Sequence, residues 1–122
     1  MNDVFLADTY AIIEIINGNK NYKKFENCRL LTTKFNLVEL YYSLLQDFGN
    51  VLASQYLLMY SRLMISITYN SIRYGMAFKL KHKKEKLSYV DCIGYAVARE
   101  NGIRFLTGDE KFRTKENVEF VK

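Results

Sequence analysis

Apolar residues along the chain come in short unbroken runs and in longer helical periods, with polar punctuation between them. Val4-Phe5-Leu6-Ala7 is a run of the length and character of a buried strand. Thr9 to Ile16 then reads as a helix ended by Asn17-Gly18-Asn19, with Asp8 at the junction. Arg29 to Thr33 reads as a second strand. Helices are predicted from about Asn36 to Phe48 and from about Val51 to Arg62, separated by Gly49-Asn50. Met64 to Thr68 is a brief β-branched segment, and Ser71 to about Lys84 is helix-like and increasingly basic. Ser88 to Glu100 makes a further helix closed by Asn101-Gly102. Ile103 to Thr107 then reads as a strand leading into Gly108-Asp109, and Val118 to Val121 as a last, edge strand. Short strands alternating with longer helices predict an α/β sandwich on a mainly parallel sheet. No proline, low-complexity tract or internal repeat divides the chain, so residues 1–122 are expected to form a single domain.

Ligands of open parallel α/β sheets collect beyond the carboxyl ends of the strands. Asp8 follows one predicted strand directly and Asp109 follows another after one glycine, so both carboxylates would project from the same edge. Taken singly, an acid after a strand more often serves a turn or a helix cap. Glu39 and Asp91 fall near helix starts, where Asn36-x-x-Glu39 and Ser88-x-x-Asp91 match capping boxes. On the helix carrying Glu39, the expected apolar face is Leu37, Val38, Tyr41, Leu44, Leu45 and Phe48, which leaves Glu39 with Ser43 and Gln46 on the polar side. Periodicity does not separate a cleft from open solvent there. Gly94 and Ala98, three and seven residues after Asp91, place a small-residue stripe beside it through which another backbone could come close.

Composition narrows the partners. Nearly half the residues are apolar and a quarter charged, ordinary for a globular domain. The 18 Lys and Arg against 13 Asp and Glu, a net charge of +5, favour association with a polyanion such as nucleic acid. Cys28 and Cys92 are isolated and read as free thiols of a reducing compartment. Asp3 and Asp8 interrupt the N-terminal apolar stretch, which argues against a signal peptide. No run approaches the roughly 18 apolar residues of a membrane span. A soluble cytoplasmic protein is the expectation. Lys79, Lys81, Lys83, Lys84 and Lys86 crowd the region before the Asp91 helix, with His82 among them. Lysines there suit RNA phosphate contact, with Lys81, Lys83 and Lys84 as candidates, and equally suit a helix C-terminus whose dipole they complement. Tyr41, Tyr42, Tyr56, Tyr60 and Tyr69 gather in the middle helices and fit an interface as well as core packing.

Four segments in order carry a resemblance: Leu6-Ala7-Asp8-Thr9, Glu39-Leu40, Asp91-Cys92-Ile93-Gly94-Tyr95-Ala96-Val97-Ala98, and Leu106-Thr107-Gly108-Asp109-Glu110-Lys111-Phe112. In order, spacing and context they resemble the PIN domain, in particular the toxin ribonucleases of the VapC group, over nearly the whole chain. The resemblance implies a three-layer α/β/α sandwich in which Asp8, Glu39, Asp91 and Asp109 gather around Mg²⁺ or Mn²⁺, with RNA as substrate. It further implies that Thr9 and Thr107 support the acids or a water. Asp109 matches the most variable of the four acidic positions, and Glu110 could stand in for it. A homodimer and a small antitoxin protein covering the acidic pocket are the partners implied by the same resemblance.

Phosphodiester hydrolysis needs an activated water, neutralised charge in the transition state and a stabilised leaving oxygen, all of which divalent metals supply. Mg²⁺ and Mn²⁺ prefer oxygen donors, so the acids suffice and the single histidine, His82, is not required. Two carboxylates about 5 Å apart at an effective dielectric near 20 repel by roughly 3 kcal/mol, so a cluster of four takes up protons or cations. Two other functions compete: a non-catalytic RNA- or protein-binding module on the same scaffold, and an aspartyl-phosphate enzyme using Asp8 as nucleophile. The second would resemble an Asp-x-Asp pattern, whereas position 10 is Tyr10.

Overall fold

The computed structural model describes residues 3–122. Its elements run β1 (Val4–Ala7), α1 (Thr9–Ile16), β2 (Arg29–Leu31), α2 (Lys34–Phe48), α3 (Asn50–Ser61), α4 (Tyr69–Lys81), α5 (Tyr89–Glu100), β3 (Arg104–Thr107) and β4 (Val118–Phe120), with short 3₁₀ turns at Lys20–Asn27, Lys83–Glu85 and Glu110–Phe112. The four strands form one sheet in the order β2-β1-β3-β4, every pair parallel. A parallel sheet needs helical crossovers and cover on both faces, and alternation along the strands supplies it. Phe5, Ala7 and Leu106 point into a core shared with α1, α2 and α3. Leu6 and Phe105 point the other way, onto α5 and the α4 side chains Met76 and Phe78. The result is the expected three-layer α/β/α sandwich. Each wholly buried side chain of the size of Leu6 or Phe105 contributes about 2–3 kcal/mol.

Three local expectations change. Helix α2 begins earlier than predicted because Thr33, not Asn36, caps it: the Asn36 amide N–H donates to Thr33 Oγ1 at 3.3 Å. Asn36 is therefore inside the helix and fully buried, and the Asn36-x-x-Glu39 capping box does not form. The buried face of α2 is Asn36, Leu37, Leu40 and Leu44, whereas Val38, Leu45 and Phe48 are exposed. The segment from Met64 contributes only a bridge to Thr32.

Close approach of another backbone to α5 does occur, but through a different glycine. A methyl at Gly75 of α4 would lie 2.9 Å from the Cys92 carbonyl oxygen, so this pair of helices meets at Gly75. Gly94 instead clears space for side chains, since a methyl there would sit 3.1 Å from the Phe105 ring and 3.6 Å from Leu6. Both cysteines are free thiols, Cys92 buried in this layer. Among the described residues no helix is long and apolar enough to cross a membrane.

Candidate active site

The carboxyl ends of β1 and β3 and the N-terminal turns of α2 and α5 open on one cavity of about 350 Å³. Asp8, Glu39, Asp91 and Asp109 all line it. Four acids from four separate parts of the chain thus face one space, at the sheet edge where α/β folds hold ligands.

Asp8 is held hardest. It leaves β1 with extended backbone and caps α1, its Oδ1 accepting the Ala11 N–H at 2.8 Å. Its other oxygen accepts the Thr107 hydroxyl from β3, and that hydroxyl in turn accepts the Asp109 N–H at 3.0 Å. Thr107 therefore ties the two strand-end acids together. Asp8 is only 1% exposed. Burial pushes its carboxyl up to about 8; the bonds from Thr107 and Ala11 pull it down, and the neighbouring Asp91 and Asp109 charges push it further up.

Asp91 lies in the first turn of α5, where Ser88 Oγ accepts its N–H at 3.0 Å. The cap predicted at Ser88 is present, and it leaves the carboxyl at the cavity. Burial raises the Asp91 carboxyl to about 6, with Asp109 and Glu39 adding to the rise and Ser88 and Lys111 opposing it. Glu39 is exposed and is steadied by a relay: Asn36 accepts the Thr33 hydroxyl at 2.6 Å and donates to Thr9 Oγ1 at 3.1 Å, and Thr9 donates to Glu39 Oε1 at 2.8 Å. Asp109 caps the turn that follows it, accepting the Lys111 N–H at 3.0 Å.

The hydroxyls of Thr9 and Thr107 thus each hold one acid. The buried Asn36 behind them supports the site rather than capping α2 as the sequence suggests, and Tyr10, Gly108 and Lys122 on the cavity wall carry no site signal in the sequence. Gly108 explains itself once Tyr10 is seen: a methyl at Gly108 would run into the Tyr10 ring and lie 2.6 Å from the Val121 carbonyl oxygen. Gly108→Ala is accordingly expected to cost about 1–3 kcal/mol of stability, read as a lower midpoint in urea with an unchanged slope.

Glu110 also lines the cavity, but its carboxylate takes both Arg113 (3.1 Å) and Lys122 (3.9 Å). It is less free than Asp109 to serve as a ligand. Lys81, Lys83 and Lys84 are not part of this wall; the positive groups beside it are Lys122 and Lys111.

The donor set is all oxygen, which suits a hard divalent cation. Carboxyls whose proton affinity is raised by burial and further by neighbouring acids are also what a cation would relieve. Among the described residues no three such groups are close enough, as they stand, to enclose an ion. The carboxylates would have to draw together to share one.

A parallel α/β sandwich with an acid-lined cleft at its strand ends is the class that fold and site define. The chain belongs to the PIN domain family, whose model matches residues 5–117. The fold is shared with a toxin–antitoxin complex from Klebsiella pneumoniae (TM-score 0.74, 18% identity, 94% of this chain and 95% of that one). It is shared equally with VapC20 of Mycobacterium tuberculosis, described as a Sarcin-Ricin loop cleaving toxin (TM-score 0.78, 20% identity, 98% of this chain and 100% of that one). PAE2754 from Pyrobaculum aerophilum is also similar (TM-score 0.68, 16% identity, 98% of this chain and 92% of that one). No curated protein matches the chain in sequence.

Proposed function

We propose that the chain is a divalent-cation-dependent endoribonuclease, the toxin of a toxin–antitoxin pair. The observation that carries this reading is the meeting of Asp8, Glu39, Asp91 and Asp109 on one cavity in a PIN domain. These four carboxylates would hold Mg²⁺ or Mn²⁺. Bound there, the ion would supply an activated water and neutralise charge on the scissile phosphate.

The chain's own groups have separable tasks. Thr107 and the Ala11 amide fix the direction of the Asp8 oxygens, and Thr9 fixes Glu39. Lys111 and Lys122 place positive charge beside the acids, suited to the RNA backbone on either side of the cleaved bond. Lys81, Lys83 and Lys84, at the end of α4 and in the turn after it, would bind phosphates further along the strand. The VapC20 description makes a structured RNA loop the first substrate to try. Purified protein is expected to cut such RNA in Mn²⁺ and to leave it intact in EDTA. Binding without cutting in either condition would favour the non-catalytic module.

The Klebsiella toxin–antitoxin complex supports an antitoxin as partner; on our reading it is a small protein that covers the acidic pocket. A homodimer is supported by apolar side chains left uncovered on adjacent helices, Val38 and Tyr42 on α2 and Val51, Leu58 and Met59 on α3. Sedimentation equilibrium at micromolar concentration is expected to give twice the chain mass; a monomer there removes the dimer.

A further inference from the structure

A second cavity, of about 500 Å³, lies where α4, α5 and the segment before β4 meet. That is within the roughly 300–1,000 Å³ of small-ligand clefts. One face of α4 forms its floor: Tyr74, Ala77, Phe78 and Lys81, spaced i, i+3, i+4, i+7. The Tyr74 and Phe78 rings lie 6.3 Å apart and within 20° of parallel, and Ala77 between them is the small residue that leaves the hollow. Arg99 of α5 holds its guanidinium 4.8 Å from the Tyr74 ring centre. Lys115 and His82, also on the wall, both bind Glu85, at 2.7 and 2.9 Å. Lys81 and Arg99 make no ion pair among the described residues.

We propose that this cavity is a nucleotide subsite: it takes one nucleotide of the RNA strand that passes through the acidic cleft, its base against Tyr74 and Phe78 and its phosphate at Lys81 and Arg99. The inference rests on the ribonuclease reading and adds a place for the substrate outside the cleft. Rings interleaved with unpaired cations are how single-stranded RNA is held, because every base offers a face and every linkage a charge. An acidic peptide would use the cations and leave the rings idle, and an apolar segment would strand two charges. Glu116, exposed on the rim, repels a phosphate and so directs it toward the Lys81 and Arg99 side; its carboxylate is free to accept from a base amino group.

Two elements run from one cavity to the other. Helix α5 carries Asp91 at the cleft and Arg99 at the second cavity, eight residues and about 12 Å along its axis. The segment after β3 gives Asp109 and Glu110 to the first and Thr114 and Glu116 to the second. A strand a few nucleotides long spans both.

The test measures binding of a short fluorescent RNA in EDTA, and its cleavage in Mn²⁺, for wild type, Ala77→Leu and Arg99→Gln. Ala77→Leu fills the hollow without changing charge; Arg99 is exposed, so its replacement keeps the fold even should Ala77→Leu fail to. Each variant is expected to weaken binding about five- to tenfold and to raise KM more than it lowers kcat. Arg99→Gln should also lower the salt slope by about 0.7. RNA carrying 5-bromouridine should crosslink to the peptide holding Tyr74 and Phe78. Wild-type affinity and slope in both variants, with RNA still cut by the parent, would overturn the subsite and leave the nuclease reading intact. A parent that neither binds nor cuts RNA would overturn both. Loss of 5′-mononucleotide binding in Arg99→Gln with unchanged RNA affinity would assign the cavity to free nucleotides instead.

Discussion

Asp8→Asn is expected to abolish RNA cleavage, by at least about a hundredfold, in a protein that still folds. An amide has the shape of the neutral acid, and its oxygen can keep the bond from the Ala11 N–H that caps α1. The amide nitrogen then faces Thr107, whose hydroxyl must turn away from it, a disturbance of about one hydrogen bond, or about 1 kcal/mol. What vanishes is the negative charge, and with it the attraction for a cation that would supply several kcal/mol of transition-state stabilisation. Asp91→Asn should act alike, because Asp91 is the other acid whose burial concentrates its charge on the cavity. Glu39→Gln and Asp109→Asn should cost less, since Glu39 is exposed and Asp109 only half-buried. Single-turnover cleavage in Mn²⁺, with melting curves for each variant, separates lost chemistry from lost structure. Cleavage by Asp8→Asn at the parental rate would remove Asp8 from the site.

The order of these four acids was legible because strand ends announce themselves. Asp8 follows an apolar run directly and Asp109 follows one after a single glycine, and a parallel sheet leaves its strand ends on one edge. Asp91 came with a serine cap that the structure keeps. The α2 face was harder, because apolar residues surround the helix. A period cannot tell which of Leu40 and Val38 is covered when the covering surface comes from β1, α1 and α3. Asn36 was misread as a cap because its role depends on Thr9, 27 positions away. Gly75 and Gly108 likewise have no local signal: one answers the Cys92 carbonyl and the other the Tyr10 ring, contacts that exist only after folding. The acids and their strands are properties of single segments, whereas the supports of the site are properties of pairs.

In the absence of metal, the protein is expected to lose stability as the pH rises from about 4 to about 8, and to regain it with Mn²⁺. The Asp8 carboxyl ionises near 3.8 when unconstrained and near 8 when folded, chiefly because it is buried. Between those values the folded chain holds a proton that the unfolded chain has released. Stability therefore falls with each rise in pH, in proportion to the difference in bound protons. The contribution is fully present below about pH 4 and gone once the pH passes 8. Asp91, raised to about 6, adds the same sign over a narrower window from about 4 to about 6. A divalent cation binds the ionised acids and expels those protons, so its stabilising effect must grow as the pH rises. Melting temperatures at pH 5, 6, 7 and 8, with EDTA and with millimolar Mn²⁺, measure both slopes. The EDTA series should descend and the gap between the series should widen. Asp8→Asn, which carries no proton to lose at that position, should flatten the EDTA series and close most of the gap. An EDTA series that is level from pH 5 to 8, or one that Asp8→Asn leaves unchanged, would mean that the cavity acids ionise independently of folding.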